Sequence, residues 1–447
     1  MTHDNNTLHI NAFLMGVGHH EAAWRHPRTE AHRVLDVAHY QELARIAERG
    51  RLDSIFFADN LAVGAYVKRN VHTVFEPITL LSAIAPVTEK IGLIATASTS
   101  YHEPYALARA FASLDHLSNG RAGWNIVTSG TEAEAFNFGY DAIPEHARRY
   151  ARAEEFVDVA EQLWDSWEPG ALVLDADEGV FADPGKVHAV DYAGERFRVR
   201  GPLNSPRSPQ GRPLLVQAGS SEDGKEFAAR HAEAVFTAQQ TLAEGQAFYR
   251  DLKDRLARHG RAEGDLKVLP GLVPFIADTE AEAVALQQEF TGLISPDYAL
   301  RQLSTMLGLD LTAYPLDRPL PPLPDESAVE GQKSRFTLVK QLAAGRELTV
   351  RQLIGELGGG RGHRTLAGTP EQIADDLETW FRGGAADGFN IMPPYLPGGL
   401  TDFVERVVPI LQRRGLFRTE YTATTLRGHY GLAPVPNRFA DAVPATA

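Results

Sequence analysis

Short apolar runs alternate with longer stretches of helical spacing along most of this chain, and no other feature limits its possible folds so strongly. Such alternation specifies a parallel sheet with helices on its faces. The runs are His9–Met15, Asp53–Ala58, Ile91–Thr96, Arg121–Val127, Pro213–Ala218, Ala234–Thr237, Lys267–Ala277 and Asp387–Met392. Eight runs fit a closed α/β fold, the (β/α)₈ TIM barrel, better than an open sheet of about five or six strands. Helices are expected over 36–50, 76–88, 104–117, 145–167, 222–231, 242–259 and 279–290, and from the cap Thr369 through Trp380. Gly50 is the expected C-terminal cap of the first. Two irregular stretches interrupt the pattern. Residues 168–212 are rich in Gly, Pro and Asp, with a strand-like piece at Glu195–Val199. Residues 291–357 hold the proline-rich Tyr314–Pro324 and a helical segment from Phe336 to Leu357. Both read as insertions in a single barrel domain over 1–447, the second as a lid, with a tail from about residue 416.

Charge and composition remove several function classes. The 58 acidic and 44 basic residues give a net charge of −14, which argues against nucleic acid or an acidic membrane as partner. The absence of cysteine excludes disulfides, thiol nucleophiles, iron–sulfur clusters and thiolate zinc sites. Met1–Ile10 lacks a signal-peptide pattern, and no run approaches the roughly 20 apolar residues of a membrane helix, so a cytoplasmic protein is expected. Gly16-Val-Gly18 is followed by Glu21 where a dinucleotide fingerprint needs a third glycine. Neither Gly185-Lys186 nor Gly224-Lys225 continues into Ser or Thr, and no Gly-x-Ser-x-Gly elbow occurs. His19-His20-Glu21 invites a metal, but adjacent side chains in an extended segment point to opposite faces, and none is expected.

Several segments carry a resemblance. They include Gly18-His-His-Glu-Ala-Ala-Trp-Arg25, Phe56-Phe-Ala-Asp59 and Ser98-Thr-Ser-Tyr-His-Glu-Pro-Tyr105. Further along come 112–128, 146–156, Gln217-Ala-Gly-Ser-Ser221 and Thr425-Leu-Arg-Gly-His-Tyr-Gly-Leu432. In this order they resemble the nitrilotriacetate and dibenzothiophene-sulfone monooxygenase family, a branch of the bacterial-luciferase-like flavin monooxygenases. The match covers most of the chain and is weakest in the two insertions. The resemblance implies a barrel that binds FMN at its strand C-termini, as FMNH2 supplied by a separate NAD(P)H:flavin reductase. O2 is then the cosubstrate, and one oxygen atom passes to a small organic molecule. A homo-oligomer is expected. Two other readings use the same fold: a deazaflavin-dependent oxidoreductase and a flavin-binding barrel without turnover.

The candidate site residues each have a plainer alternative. Asp59, Thr96, Asn125, Thr128 and Ser220 follow buried apolar runs, at the strand ends where barrel active sites lie. Asp59 suits a flavin edge, or a helix cap or rim salt bridge. Thr96 needs a hydrogen bond from flavin or from a backbone carbonyl. Asn125 suits the flavin ring or a flavin–oxygen adduct, or an inter-strand hydrogen bond, and is the first catalytic candidate. His146 and Tyr150 share a helical face; the resemblance places them on the ribityl chain or phosphate, and helix packing is the alternative. Ser220 and Ser221 precede a helix and suit a phosphate, or a simple N-cap, and Glu222 and Asp223 would oppose a phosphate they faced. His102, the second catalytic candidate, is a proton donor or substrate contact, or a satisfied loop histidine. Phe13, Met15 and Trp24 line a substrate pocket or merely the core.

Overall fold

The computed structural model describes residues 7–63, 67–69, 74–323, 336, 339, 340 and 348–440. Eight parallel strands form the barrel: β1 (His9–Phe13), β2 (Ser54–Phe57), β3 (Gly92–Ser98), β4 (Ala122–Val127), β5 (Leu214–Gln217), β6 (Ala234–Thr237), β7 (Lys267–Ile276) and β8 (Gly388–Ile391). They pair in chain order, and β8 closes the ring onto β1 with Asn390 opposite Asn11. All eight expected runs are therefore strands of one closed barrel. Buried on both faces, such strands need no polar alternation, which is why continuous apolar runs mark them. Outward residues such as Leu93, Ala95, Trp124 and Ile126 pack against the helices, while Phe13, Phe56, Ile94, Phe236 and Val273 fill the barrel.

Helix ends follow local chemistry. The helices are α1 (Val37–Arg49), α2 (Pro77–Ile84), α3 (Pro104–Leu117), α4 (Glu132–Asn137), α5 (His146–Asp165), α6 (Glu222–His231), α7 (Leu242–Leu256), α8 (Glu280–Gly292), α9 (Pro296–Leu307), α10 (Val350–Gly360) and α11 (Pro370–Arg382). Thr241, Thr279 and Thr369 close capping boxes with Glu244, Glu282 and Gln372. The α-helical part of α2 ends at Ile84, earlier than expected, and one tight turn, Ala85–Val87, follows, because Pro86 has no N–H to continue the ladder. Gly50 is the C-terminal cap of α1, as expected, but in right-handed conformation at φ −71°; the left-handed residue is Arg51, at φ 62°. Gly50 is small for another reason, since a Cβ there would lie 2.8 Å from a Val404 methyl. Most of the expected helix from Phe336 lies outside the described residues, and α10 begins only at Val350.

Three features were not expected. An extra strand, Arg364–Gly368, pairs with the second half of β7, outside the barrel. The first insertion forms an unexpected hairpin, Leu172–Asp175 with Val180–Ala182, beside a second, Tyr192–Ala193 with Arg198–Val199, whose last strand falls within the strand-like piece expected at 195–199. The tail folds back across the N-terminal end of the barrel and plugs it. Leu426 occupies space left by two glycines: a Cβ on Gly92 would lie 2.3 Å from its Cδ1, and one on Gly123 3.2 Å from its Cδ2. Beside it Tyr430 donates to Asn11 Oδ1 at 2.7 Å and stacks on His9, and Arg427 grips buried Glu233 at 2.6 and 2.8 Å. Among the described residues no helix is long and apolar enough to cross a membrane.

Candidate active site

The opposite end of the barrel is an open mouth with an aromatic floor. Phe13 lies 4.5 Å from Phe56 and 5.5 Å from Phe236, and the His363 ring stacks on Phe236 at 4.7 Å. Thr96 and Asn125 sit side by side on β3 and β4. The Thr96 hydroxyl donates to the Phe57 carbonyl at 2.9 Å and accepts from Asn125 Nδ2 at 2.8 Å. The Thr96 hydroxyl proton is thus held by a backbone carbonyl, and Asn125 makes an inter-strand bond with its amide nitrogen. Its Oδ1 is buried without a protein partner. An unmet buried acceptor costs about 1–3 kcal/mol, so this oxygen marks where a donor belongs.

Around that pair the strand-end loops add titratable groups. Asp59 ends β2 and accepts from Asn60 N at 2.8 Å, and burial holds its carboxyl above the usual carboxylate range. His102 Nδ1 lies 2.8 Å from the Ser98 carbonyl. A carbonyl only accepts, so Nδ1 carries a proton and Nε2 is left free of that bond.

A second cluster lies between α5 and α6. His146 Nδ1 is 2.9 Å from Asp223, and its ring is 4.8 Å from that of Tyr150. The Tyr150 hydroxyl, raised in pKa by burial, lies beside the side chains of Ser221 and Thr128. Gly219 and Gly224 leave it room, since Cβ atoms there would lie 3.3 and 3.0 Å from its oxygen. Ser221 is the N-cap of α6, accepting from Gly224 N at 3.1 Å, and Ser220 is exposed beside it. Asp223 is engaged by His146 Nδ1, and Glu222 is paired with Lys225 and Arg255. Asp59, Thr96, Asn125 and His102 therefore gather at the ends of β2–β4, and His146, Tyr150, Ser220 and Ser221 at the neighbouring loop.

Other mouth residues were not read from the sequence. Arg149 donates to the Ser129 carbonyl, keeps a buried Nε without partner, and braces a loop where Ser129 is left-handed at φ 51°. Its place three residues after His146, on the same helical face, was a usable signal. His363 arrives through Gly358-Gly-Gly-Arg-Gly362, whose glycines let the second insertion approach the barrel, and no spacing announces it. His19 lies against Phe13 and His20 against Phe290. Burial, with Arg361 and His26 nearby, lowers the His20 pKa to about 3 and keeps it neutral. Among the described residues no cluster of three or more His, Asp or Glu could hold a metal ion.

A closed barrel whose strand C-termini collect partly unsatisfied polar groups is an enzyme scaffold. This chain belongs to the Luciferase-like monooxygenase family, which it matches over residues 15–387, and it is an oxidoreductase of that class. It is 51% identical to N-acetyl-S-(2-succino)cysteine monooxygenase of Bacillus subtilis (strain 168), covering 98% of this chain and 100% of that one. It is 50% identical to nitrilotriacetate monooxygenase component A of Aminobacter aminovorans, covering 98% and 99%. The solved structure of EDTA monooxygenase from Chelativorans sp. BNC1 superposes with a TM-score of 0.79 at 38% identity, covering 96% of this chain and 99% of that one.

Proposed function

We propose that this chain is the oxygenase component of a two-component system. It takes FMNH2 from a separate NAD(P)H:flavin reductase and, with O2, oxygenates a small organic substrate in the cytoplasm, working as a homo-oligomer. The observation that carries the reading is the partnerless Asn125 Oδ1 at the base of an open, aromatic-floored mouth. A flavin ring presents an N–H to such an acceptor. The second cluster fits the rest of the cofactor: a phosphate is dianionic, and Arg149, the Tyr150 hydroxyl, Ser220 and the α6 N-terminus offer donors around a glycine-lined gap. Glu222 does not spoil the fit, because Lys225 and Arg255 already meet its charge, and Asp223 is engaged by His146 Nδ1.

When bound, reduced flavin supplies the two electrons by which one atom of O2 passes to substrate and the other to water. The chain's own residues position and protect that chemistry. Asn125 and Thr96 orient the ring edge, and His146, Tyr150, Ser220 and Ser221 hold the phosphate end. Asp59, its carboxyl pKa raised by burial, lines the mouth beside them. His102, its Nδ1 proton committed to Ser98, offers Nε2 as a proton acceptor at the rim. Phe13, Phe56 and Phe236 keep bulk water from the floor.

The test separates ring from phosphate. In Ser220→Asp a new carboxylate ~5 Å from a dianion, at an effective dielectric near 20, costs roughly 3 kcal/mol per phosphate charge before screening. FMN affinity should fall on the order of a hundredfold while riboflavin affinity holds. Equal losses for the two ligands would remove the phosphate from this loop. In parallel, NADH and FMN in air should give an oxygenated product only when a flavin reductase is added. Rapid flavin reduction by the chain alone would end the two-component reading, and peroxide as the sole product would leave a flavin-binding barrel.

A further inference from the structure

Sulfur is scarce in this chain, and half of it stands at the mouth. There is no cysteine, and of the four methionines Met15 follows β1 by two residues and Met392 follows β8 directly. Backbone bonds fix both positions. Leu14 N donates to the Phe56 carbonyl at 2.9 Å, Gly18 N to the Met15 carbonyl at 2.8 Å, and Met392 N to the Leu272 carbonyl at 2.8 Å. Side chains alternate along a strand, so Phe13 faces the barrel interior, Leu14 the helices and Met15 the interior again, packed against the cluster that holds Phe13. The register then gives its height. Phe13 pairs with Phe56, Phe57 with Ala95 and Thr96 with Asn125, so Met15, Ala58, Thr96 and Asn125 form one inward row at the top of the wall. β1 and β4 are three strands apart in a ring of eight, so Met15 faces Asn125 across the mouth. It is only partly buried, and it also walls a cavity of about 40 Å³ shared with Ala58 and Phe75. Met392 sits lower and is fully buried: its sulfur and Phe236 Cε2 lie 2.7 and 2.9 Å from where a Gly271 Cβ would stand.

A thioether is soft, polarizable and open to oxidation, so its place in the row that begins at Asn125 has a chemical consequence. We propose that Met15 is an internal oxygen acceptor, converted to the sulfoxide when FMNH2 and O2 meet in the mouth with no substrate present. The inference rests on the FMNH2- and O2-dependent reading of the same mouth. Without substrate, FMNH2 and O2 give FMN and hydrogen peroxide. The Met15 sulfur uses a lone pair to bond one peroxide oxygen, and the O–O bond breaks. Sulfur is oxidised by two electrons, and the other oxygen leaves with both hydrogens as water. Peroxide made in the mouth meets Met15 before it is diluted, whereas Met392 is covered by Phe236 and His363. The product is a polar, chiral side chain at the rim, which methionine sulfoxide reductases return to the thioether, so the acceptor is renewable.

The chain carries its own reference for the test. Met306, on α9, is also partly buried but packs against the core of the second insertion rather than in the mouth. Wild type is incubated with NADH, FMN, a flavin reductase, air and catalase, without substrate, and its peptides are read by mass spectrometry. A second sample receives dilute hydrogen peroxide alone. The ratio of oxygen gained at Met15 to that gained at Met306 should be about tenfold higher, or more, in the turnover sample, where catalase removes peroxide that has escaped. Equal ratios, or a Met15 that stays reduced, would overturn the inference. Methionine sulfoxide reductases for both epimers should then remove the oxygen, and a gain that resists both would place it on another side chain and overturn the inference as well. FMN titration of the same wild-type sample keeps the two readings apart. A chain that binds FMN but shows no preference for Met15 overturns this inference alone, and one that binds no FMN overturns both.

Discussion

Arg121, at the closed end of the barrel, gives its five guanidinium hydrogens to the carbonyls of Ser118, Ile91, Ala85 and Thr88 and to the Thr88 hydroxyl. Asn125, four residues along the same strand, leaves its amide oxygen without a protein partner. The same contrast runs around the two rims. Below, Glu233 and Asp53 are each fully buried and each met by an arginine, Arg427 and Arg418. Above, Asp59 has a single backbone donor and a raised pKa. At the closed end these buried charges are met by the protein itself, and at the mouth Asn125 and Asp59 keep capacity for something that binds. Substitutions at the closed end should therefore act on stability, and those at the mouth on ligand.

Arg427→Ala is the severest way to test that division. It leaves the buried Glu233 carboxylate with only the Leu215 N–H and Arg212 at 3.9 Å, and breaking such a pair costs up to about 3–5 kcal/mol, readable as a drop in the urea midpoint. A midpoint near wild type would show that the plug does not hold the closed end. Leu426→Ala should cost about 2–5 kcal/mol through the cavity left between Gly92 and Gly123. Gly92→Ala is destabilising with Leu426 present and less so beside Leu426→Ala, where the Asp53 carbonyl, 2.9 Å from the new Cβ, still opposes it. A coupling of roughly 0.5–3 kcal/mol in that cycle would fix the contact, and strict additivity would dissolve it.

Acid sharpens the comparison further. Burial alone would raise the Asp53 carboxyl, but Arg418, His9 and the Ile10 N–H bring it below the usual value. A lowered folded pKa stabilises above the unfolded value, near 4, and that stability is lost as pH falls through the folded one. Asp53→Asn should therefore be destabilising at pH 7, with the gap to wild type closing below about pH 4. Asp59 has the opposite sign, because its folded pKa is raised by burial. Its contribution is complete below the unfolded pKa and lost as pH rises, so Asp59→Asn should leave stability at pH 7 unchanged or higher. Unfolding midpoints at several pH values decide both, and two variants of the same sign would end the contrast.

The smallest effects belong to the mouth. Asn125→Leu removes an unmet acceptor and should shift stability by less than about 1 kcal/mol while lowering flavin affinity about tenfold. Tyr150→Phe loses one hydrogen bond of about 0.5–1.5 kcal/mol, a two- to tenfold change in FMN titrations with the circular dichroism unaltered. Wild-type affinity in Tyr150→Phe would return that residue to helix packing.

Much of the barrel could be read from the residues because each signal was local. Strands buried on both faces are continuous apolar runs, and Thr279 or Thr369 announces a helix three residues before its partner does. The strand-end candidates were found by position, since anything polar directly after such a run stands at a rim. What escaped is non-local. Leu426 and Tyr430 are single apolar residues in a polar tail, and only the distant glycines of β3 and β4 make them core. The strand Arg364–Gly368 is short and half-buried along most of its length, so it has neither period. The Leu172–Asp175 hairpin escaped because its apolar residues face water, which a rule built on burial does not anticipate. His363 reaches the floor of the mouth only because the second insertion returns there.

The plug also orders the life of a newly made chain. Gly92 and Gly123 leave the ribosome some three hundred residues before Leu426 and Tyr430, and β8, which closes the ring, comes almost as late. Throughout that interval the nascent barrel has an open seam and a hole in its base, with Asp53 and Glu233 still waiting for their arginines. Folding of this chain is thus completed after most of its translation rather than during it, and a truncation of even the last few dozen residues would strand a nearly finished barrel for proteolysis.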